Sequence, residues 1–108
     1  MPGDDGGGVD ARGIGLRRVL LRSTAFARDL RACLKSRSGM APSLEAALEQ
    51  LSADALHPSL RAHKLKGPLA GCWACSAGYD LRVVFEYVRH EGAEAILLLA
   101  LGTHDQVY

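Results

Sequence analysis

The spacing of the apolar residues changes once along this chain, at His57-Pro58. Between residues 23 and 57 apolar side chains recur every three or four positions, which is the repeat of a helix buried on one face. After Pro58 they alternate with polar residues or form short unbroken runs, as they do in strands. The residue before a proline is pushed out of the helical conformation, so the helical half is expected to end here. Helices followed by strands predict an α+β domain.

Two helices are predicted in the first half. Ser23 or Thr24 can cap the first one, because their hydroxyls accept hydrogen bonds from the first turn. Its apolar face consists of Phe26, Leu30, Cys33 and Leu34. A break at residues 36–39, Ser-Arg-Ser-Gly, follows, and Pro42 suits the first turn of the second helix, where its missing N–H costs nothing. The apolar stripe of that helix is Leu44, Ala47, Leu48 and Leu51.

Four strands are predicted around the two helices, at residues 19–21, 72–77, 81–87 and 95–101. A turn at residues 89–92, Arg-His-Glu-Gly, joins the last two. The unbroken apolar run at 95–101 indicates a central strand of the sheet. The order β-α-α-β-β-β predicts a small, twisted, mostly antiparallel sheet with both helices packed on one face.

The first fifteen residues differ from the rest of the chain. They hold six of the twelve glycines together with Asp4, Asp5 and Asp10, and they have no apolar repeat. We expect a disordered leader at 1–15 and one folded domain over 16–108. No apolar segment reaches the roughly 18 to 20 residues that a membrane span needs, and the start lacks the apolar core of a signal peptide. A cytoplasmic protein is therefore expected.

The cysteine pattern argues against a metal or redox site. Three cysteines, an odd number, occur in a chain without a signal peptide, so a disulfide framework is not expected. Cys72 and Cys75 form a Cys-x-x-Cys pair, but on a strand an offset of three places the two side chains on opposite faces. No second pair accompanies them. We predict no metal and no cofactor.

Positive charge is concentrated in two places, although the formal net charge is only +1. Between residues 12 and 37 Asp29 is the single acid among eight cations: Arg12, Arg17, Arg18, Arg22, Arg28, Arg31, Lys35 and Arg37. The approach to the predicted sheet holds a second group: Arg61, His63, Lys64 and Lys66. A charged run is often only a solvated loop, but lysine and arginine are also the side chains that bind phosphate. These four residues are candidates for a phosphate-binding rim.

Arg82 is a lone cation inside the predicted strand at 81–87. The alternation of this strand places Arg82 on the face away from Leu81 and Val83. A charged residue in such a position needs a partner. Either Arg82 binds an anion over the sheet, or it forms a salt bridge with Asp80 or Glu86.

The tail at residues 102–108 reads Gly-Thr-His-Asp-Gln-Val-Tyr and follows the most apolar segment of the chain. It delivers His104 and Tyr108 together at the end of a rigid, buried element. Histidine changes its charge near neutral pH, so His104 is a candidate acid or base. The structural alternative is that both side chains only cap the edge of the sheet.

Four segments occur in the order known from one family: 63–67 (His-Lys-Leu-Lys-Gly), 71–73 (Gly-Cys-Trp), 79–85 (Tyr-Asp-Leu-Arg-Val-Val-Phe) and 102–108. With two helices ahead of them, residues 19–108 resemble the RelE/ParE superfamily of type II toxins, in its RelE/StbE or YafQ-like branch of mRNA interferases. The resemblance implies a small toxin that cuts mRNA, usually in the ribosomal A site. It also implies an antitoxin that wraps the toxin in a hetero-oligomeric complex.

The resemblance also implies roles for single residues. His104 falls where these toxins have a catalytic His or Arg, and Tyr108 where they have a terminal aromatic residue. Arg82 matches the arginine of the strand motif. His63 matches a histidine of the YafQ-like loop, and Asp80 an acidic position of that branch.

The chain departs from the family pattern at two positions. Ser76 stands near the place of a further histidine of the YafQ-like branch, and Leu81 stands where an aromatic residue is common. These departures leave the YafQ-type catalytic set incomplete.

The residue types suit RNA cleavage without a metal. That reaction needs a base for the 2′-OH proton, cations for the phosphate and an acid for the leaving 5′-oxygen. We assign His104 as the principal acid or base and His63 as its partner, with Arg82 and Lys66 on the phosphate. Tyr108 is assigned either to stacking on an unpaired base or to orienting the scissile nucleotide.

Two other functions remain open. A ParE-like toxin binds DNA gyrase and catalyses nothing, although its members generally lack the terminal His and Tyr. An inactive module that only binds an antitoxin is the second alternative. In each toxin reading, the basic first helix and the cationic loop would attract an acidic, partly disordered antitoxin.

Overall fold

The computed structural model describes residues 17–36, 38–78 and 80–107. The predicted leader at 1–15, Tyr79 and Tyr108 lie outside the described residues. The helices are α1 (Thr24–Ser36), α2 (Ala41–Ala53) and α3 (His104–Val107). The strands are β1 (Leu20–Arg22), β2 (His63–Lys64), β3 (Trp73–Ser76), β4 (Arg82–His90) and β5 (Ala93–Gly102). Short 3-10 turns lie at Ser38–Met40, Pro58–Leu60 and Gly67–Leu69.

The five strands form one mixed sheet in the order β1-β5-β4-β3-β2. β1 runs parallel to β5, and all other neighbours are antiparallel. The predicted α+β class, with two helices ahead of a mostly antiparallel sheet, is confirmed. The apolar strand β5 is an interior strand as predicted, although β4 occupies the middle position.

The structure adds two elements that the apolar pattern did not predict. His63–Lys64, taken as part of a loop, form the edge strand β2 through pairing with Ala74 and Trp73. Two residues are too few to show an alternation, so only their partners on β3 reveal the strand. The second addition is α3, a single helical turn that begins at His104.

Both predicted helices form, with small differences at their ends. Ser23 is the cap of α1, since its Oγ accepts the Phe26 N–H at 3.0 Å. Helix α2 ends at Ala53, before the predicted end at His57, because the Asp54 carboxylate accepts the Leu56 N–H at 3.1 Å and turns the chain. Pro42 lies in the first turn of α2, as predicted.

Leu34 does not belong to the core, contrary to the prediction, and is 38% exposed. It lies eight residues after Phe26, which rotates it by about 80° around the helix from that residue. Phe26 and Cys33 are buried, and Leu30 packs against the core from a partly buried position. The buried face of α1 is therefore narrower than its apolar residues suggested.

One hydrophobic core joins both helices to one face of the sheet. Its members from α1 and α2 are Phe26, Cys33, Leu44 and Leu51. The sheet and its flanks contribute Cys75, Leu81, Val83, Phe85, Ile96, Leu98 and Leu101. Full burial of each large apolar side chain stabilises the fold by roughly 1.5–3 kcal/mol. No helix among the described residues is long and apolar enough to cross a membrane.

Two arginines of the basic segment, Arg17 and Arg18, form ion pairs with acids that are distant in the sequence. Arg17 Nη1 lies 2.6 Å from Glu49 Oε1, and Arg18 Nη2 lies 2.7 Å from Glu94 Oε1. The Arg18 guanidinium also lies 5.6 Å from the centre of the Tyr87 ring. These contacts hold the start of the described chain against α2 and β5. Exposed cations remain at Arg22, Arg28, Arg31 and Lys35.

Candidate functional site

Arg82 begins β4 and lies opposite Gly102 on β5 and Ser76 on β3. Side chains directly opposite each other in a ladder point to the same face, so Arg82 and Ser76 share a face of the sheet. Arg82 is half-buried, and its Nη1 donates a hydrogen bond to the Leu81 carbonyl at 3.2 Å.

The salt bridge that was the alternative for Arg82 does not form. Among the described residues, no ion pair joins Arg82 to Asp80 or Glu86. One hydrogen bond to a carbonyl leaves most of the five guanidinium N–H donors available to a ligand. The arrangement therefore suits binding of an anion.

A shallow pocket brings three of the predicted site residues together. Arg61, Asp80 and Arg82 line it with Ser76 and Gly78, and its volume is about 310 Å³. Two guanidinium groups at one pocket can bind phosphate oxygens in the forked geometry that arginine favours. Ser76, which stands near the place of a family histidine, supplies a hydroxyl to the same pocket.

The backbone of this pocket is strained at two residues. Arg61 has a φ of 52° and Asp80 a φ of 54°, both in the left-handed region that non-glycine residues rarely adopt. Among the described residues, Glu91 in the β4–β5 turn is the one other non-glycine case. Strained residues concentrate at functional sites, where the fold holds side chains in unusual directions. The strain at Arg61 and Asp80 supports a functional role of the pocket.

His63 is on the same face of the sheet as Arg82. It lies opposite Ala74, two residues before Ser76, so the ladder places its side chain on the Ser76 face. The His63 Nδ1 lies 3.2 Å from the Arg61 carbonyl oxygen. When Nδ1–H donates to this carbonyl, Nε2 carries the lone pair that a general base requires.

Lys64 and Lys66 do not line the Arg82 pocket. Lys64 lies opposite Trp73, and its Nζ is 5.7 Å from the centre of the Trp73 ring, a cation–π contact. Lys66 lines a different pocket of about 420 Å³, which Val107 of α3 also lines. The loop that carries Lys66 thus meets the helix that carries His104.

His104 is the first residue of α3, which packs against the ends of β4 and β5. It follows Gly102, the partner of Arg82, by two residues. Its side chain is 61% exposed, and its Nδ1 lies 3.7 Å from Asp105 Oδ1. An exposed imidazole beside the end of the Arg82 strand can exchange protons with a bound ligand.

Two residues of the tail escaped the sequence interpretation. Thr103 and Gln106 exchange hydrogen bonds across the turn that carries His104. The signal was present, because Thr followed three residues later by Gln is the pattern of a capping box.

Two of the cysteines, Cys72 and Cys75, have raised pKa values, which disfavours the nucleophilic thiolate at neutral pH. Burial raises the pKa of the Cys75 thiol to about 12, against a small lowering by Arg82. Burial, together with the negative charge of Glu86, also raises the pKa of Cys72. Both thiols are free, and the described residues contain no group of three or more His, Cys, Asp or Glu side chains that could hold a metal ion.

Solved structures of bacterial toxins share this fold. YafQ from E. coli strain BL21(DE3) matches with a TM-score of 0.68 and 16% identity over 85% of this chain and 99% of that one. A metal-bound toxin from Helicobacter pylori matches with a TM-score of 0.67 and 25% identity over 84% of this chain and 99% of that one. A chain in the structure of the E. coli DinJ-YafQ toxin-antitoxin complex matches with a TM-score of 0.66 and 17% identity, over 85% of this chain and 98% of that one.

The architecture is therefore that of the small toxins of type II toxin–antitoxin systems. A comparison with curated protein sequences finds no match. The model of the family described as "Bacterial toxin of type II toxin-antitoxin system, YafQ" matches residues 18–108. The chain belongs to this YafQ family.

Proposed function

We propose that this toxin is a metal-independent endoribonuclease that cleaves mRNA on the ribosome and so inhibits translation in the cytoplasm. The observation that carries the proposal is the pocket formed by Arg61, Asp80 and Arg82, at the end of the sheet from which α3 presents His104. A cation pair beside a histidine supplies the charge stabilisation and the proton transfer that phosphodiester cleavage needs.

The roles follow from the atoms that react. The 2′-oxygen attacks the phosphorus and the bond from phosphorus to the 5′-oxygen breaks, which leaves a cyclic phosphate and a 5′-hydroxyl. A base removes the 2′-OH proton, and an acid gives a proton to the departing 5′-oxygen. We assign these proton transfers to His104 and His63, and each is worth on the order of 10² to 10⁴ in rate.

The cations act on the phosphate. Arg82 and Arg61 are assigned to the non-bridging oxygens, on which negative charge develops in the transition state. Lys66, beside α3, is assigned to a neighbouring phosphate, and Tyr108 to stacking on a base. Lys64 is held over the Trp73 ring and is assigned a weaker contact with the RNA backbone.

An antitoxin partner is part of the proposal. The solved E. coli complex contains a YafQ chain bound to DinJ. In this chain Arg28, Arg31 and Lys35 are exposed on α1, and acidic segments are attracted to such a surface. We propose a hetero-oligomer in which an acidic, partly disordered antitoxin covers the toxin and blocks access to the site.

The test is primer-extension mapping of cellular mRNA after induction of the wild-type chain and of His104→Ala. New cleavage ends are expected with the wild type and not with the variant. Treatment of the purified toxin with a chelator, which is removed before Mg²⁺-containing ribosomes are added, should leave cleavage unchanged. Undiminished cutting by a folded His104→Ala variant contradicts the assignment. A DNA-damage response without mRNA cleavage would favour the gyrase-binding alternative.

A further inference from the structure

We propose that Gln106 is a positioning residue for the His104 imidazole. It acts through two reciprocal hydrogen bonds with Thr103 that cap the N-terminus of α3. The inference rests on the proposed catalytic role of His104. It assigns to Gln106 no contact with RNA and no part in proton transfer.

Hydrogen bonds join Thr103 to Gln106 and Val107, the residues on either side of the His104 turn. The Thr103 N–H donates to Gln106 Oε1 at 2.8 Å, and the Gln106 N–H donates to Thr103 Oγ1 at 3.3 Å. The Thr103 carbonyl accepts the N–H groups of Gln106 and Val107 at 3.0 and 3.1 Å. Thr103 is thus the cap and Gln106 the third residue of the helix, the arrangement of a capping box. His104 is the first helical residue between them.

Helix α3 depends on these bonds because it is only four residues long. A single helical turn is unfavourable by itself, since fixing its backbone costs more entropy than its few hydrogen bonds return. The His104 side chain is 61% exposed, so burial does little to hold it. The backbone of the turn therefore sets the position from which the imidazole projects.

The Gln106 side chain packs closely against Gly102. A Cβ atom at Gly102 would lie 2.7 Å from Gln106 Oε1, closer than real Cβ atoms approach, and 3.0 Å from Gln106 Cβ, which is tighter than most Cβ contacts. The Gln106 side chain therefore rests directly on the Gly102 backbone. Gly102 is also the residue opposite Arg82, so the capping side chain ties the histidine turn to the strand pair that carries the arginine.

The test compares single substitutions by kinetics on ribosome-bound mRNA and by amide hydrogen exchange at Thr103. Gln106→Ala is expected to lower kcat by about tenfold with KM unchanged, because misplacement of a catalytic group slows the chemical step. The Thr103 amide should lose protection at the same time. Gln106→Glu should restore both, because a carboxylate accepts the same hydrogen bond.

Two further variants complete the design. Gly102→Ala should lower kcat and Thr103 protection as Gln106→Ala does, because the new methyl group displaces the Gln106 side chain. This variant removes no hydrogen-bonding side chain. Gln50→Ala, the same change in helix α2, should leave kcat and Thr103 exchange at their wild-type values.

Each contrary outcome is distinct. Wild-type kcat in Gln106→Ala, with His104→Ala inactive, would overturn the positioning role and leave the proposed function intact. A fall in kcat with the Thr103 amide still protected would mean that Gln106 acts on the RNA itself, which also overturns the inference. Full activity of a folded His104→Ala variant would instead contradict the proposed function, and the positioning of a catalytic histidine with it.

Discussion

Arg82 lies directly opposite Gly102 in the antiparallel pairing of β4 and β5. The start of one strand and the end of the other therefore coincide. This single register position sets a half-buried guanidinium beside the point where the chain turns into α3 and presents His104. Arg82 and His104 are 22 positions apart in the sequence, and the ladder brings them to one end of the sheet.

Loss of the Arg82 guanidinium should reduce catalysis far more than stability. We expect Arg82→Ala to slow mRNA cleavage by about 10² to 10³, the range for removal of one preorganised donor to a developing negative charge. Within the described part of the chain its hydrogen bond is the one to the Leu81 carbonyl, so the free energy of unfolding should fall by about 1 kcal/mol or less. Single-turnover cleavage and thermal unfolding measure the two effects.

The matched control is Arg89→Ala, near the other end of β4, where the side chain is exposed and donates to the Gly92 carbonyl. It should cleave mRNA at the wild-type rate. Equal losses in the two variants would show that Arg82 contributes only general positive charge.

Substitution of Arg61 by glycine should raise the stability of the fold and lower the rate of cleavage. Glycine adopts the φ of 52° at this position without strain, so Arg61→Gly should stabilise the fold by up to about 1 kcal/mol. The same change removes a guanidinium from the pocket and should slow cleavage by about tenfold or more. Denaturant unfolding and cleavage rates on the same preparation give both numbers.

Glu91→Gly is the control for Arg61→Gly, since Glu91 also has a φ of 52° but lies in the β4–β5 turn. It should show the same gain in stability and no change in the cleavage rate. A destabilised Arg61→Gly beside a stabilised Glu91→Gly would indicate that the Arg61 side chain has a structural role.

The Asp29 carboxylate should contribute to stability through the end of β5. Its Oδ2 accepts the Leu101 N–H at 3.1 Å, in a stretch of β5 that extends beyond the three residues paired with β1. Asp29→Ala leaves this partly buried N–H without its acceptor, which should cost about 1–3 kcal/mol. Asp29→Asn keeps an oxygen acceptor and should recover most of the loss. Hydrogen exchange at Leu101 checks that this bond is responsible.

The buried thiol of Cys75 should make the fold less stable in alkali. Its pKa is 9.0 in an exposed setting and about 12 in the fold, because burial disfavours the thiolate. The contribution of the neutral thiol is therefore complete below pH 9 and is lost as the pH rises toward 12. The slope should reach at most about 1.4 kcal/mol per pH unit for this one proton.

Urea unfolding between pH 8 and pH 10 measures that slope, and it should be shallower in Cys75→Ala than in the wild type. Val83→Ala, a core truncation without a titrating group, provides the control for lost packing. An equal slope in wild type and Cys75→Ala would show that other groups dominate the alkaline response, such as the half-buried Tyr87, whose pKa burial also raises.

The predictable part of the fold was local. The cap at Ser23, the apolar repeat of α1 and α2, and the strand that follows Leu81 are each set by neighbours within a few residues, and all appear in the structure. The prediction for Leu34 was wrong because an offset of eight residues places it about 80° from Phe26, at the margin of the apolar face, where it is exposed. The edge strand β2 was missed because two residues carry no repeat.

The candidate site divides in the same way. His63, Arg82 and His104 were chosen from residue type and spacing, and the structure puts the first two on one face of the sheet. Arg61 was predicted only as one cation of a rim, yet it lines the same pocket as Arg82. Nothing in the spacing from residue 61 to residue 82 indicates that both side chains line one pocket, because the pairing of β2, β3 and β4 brings them together.

By itself the sequence determined the α+β class, the two helices and the family to which the chain is similar, because apolar repeats and short motifs involve residues that are close together along the chain. The tertiary structure decided which charges meet. Arg17 and Arg18 pair with Glu49 and Glu94, which are distant in the sequence. Among the described residues, Arg82 forms no ion pair with Asp80 or Glu86, which are near it in the sequence. The physical reason is that electrostatic pairing depends on distance in space, and strand register, which no local spacing encodes, sets that distance.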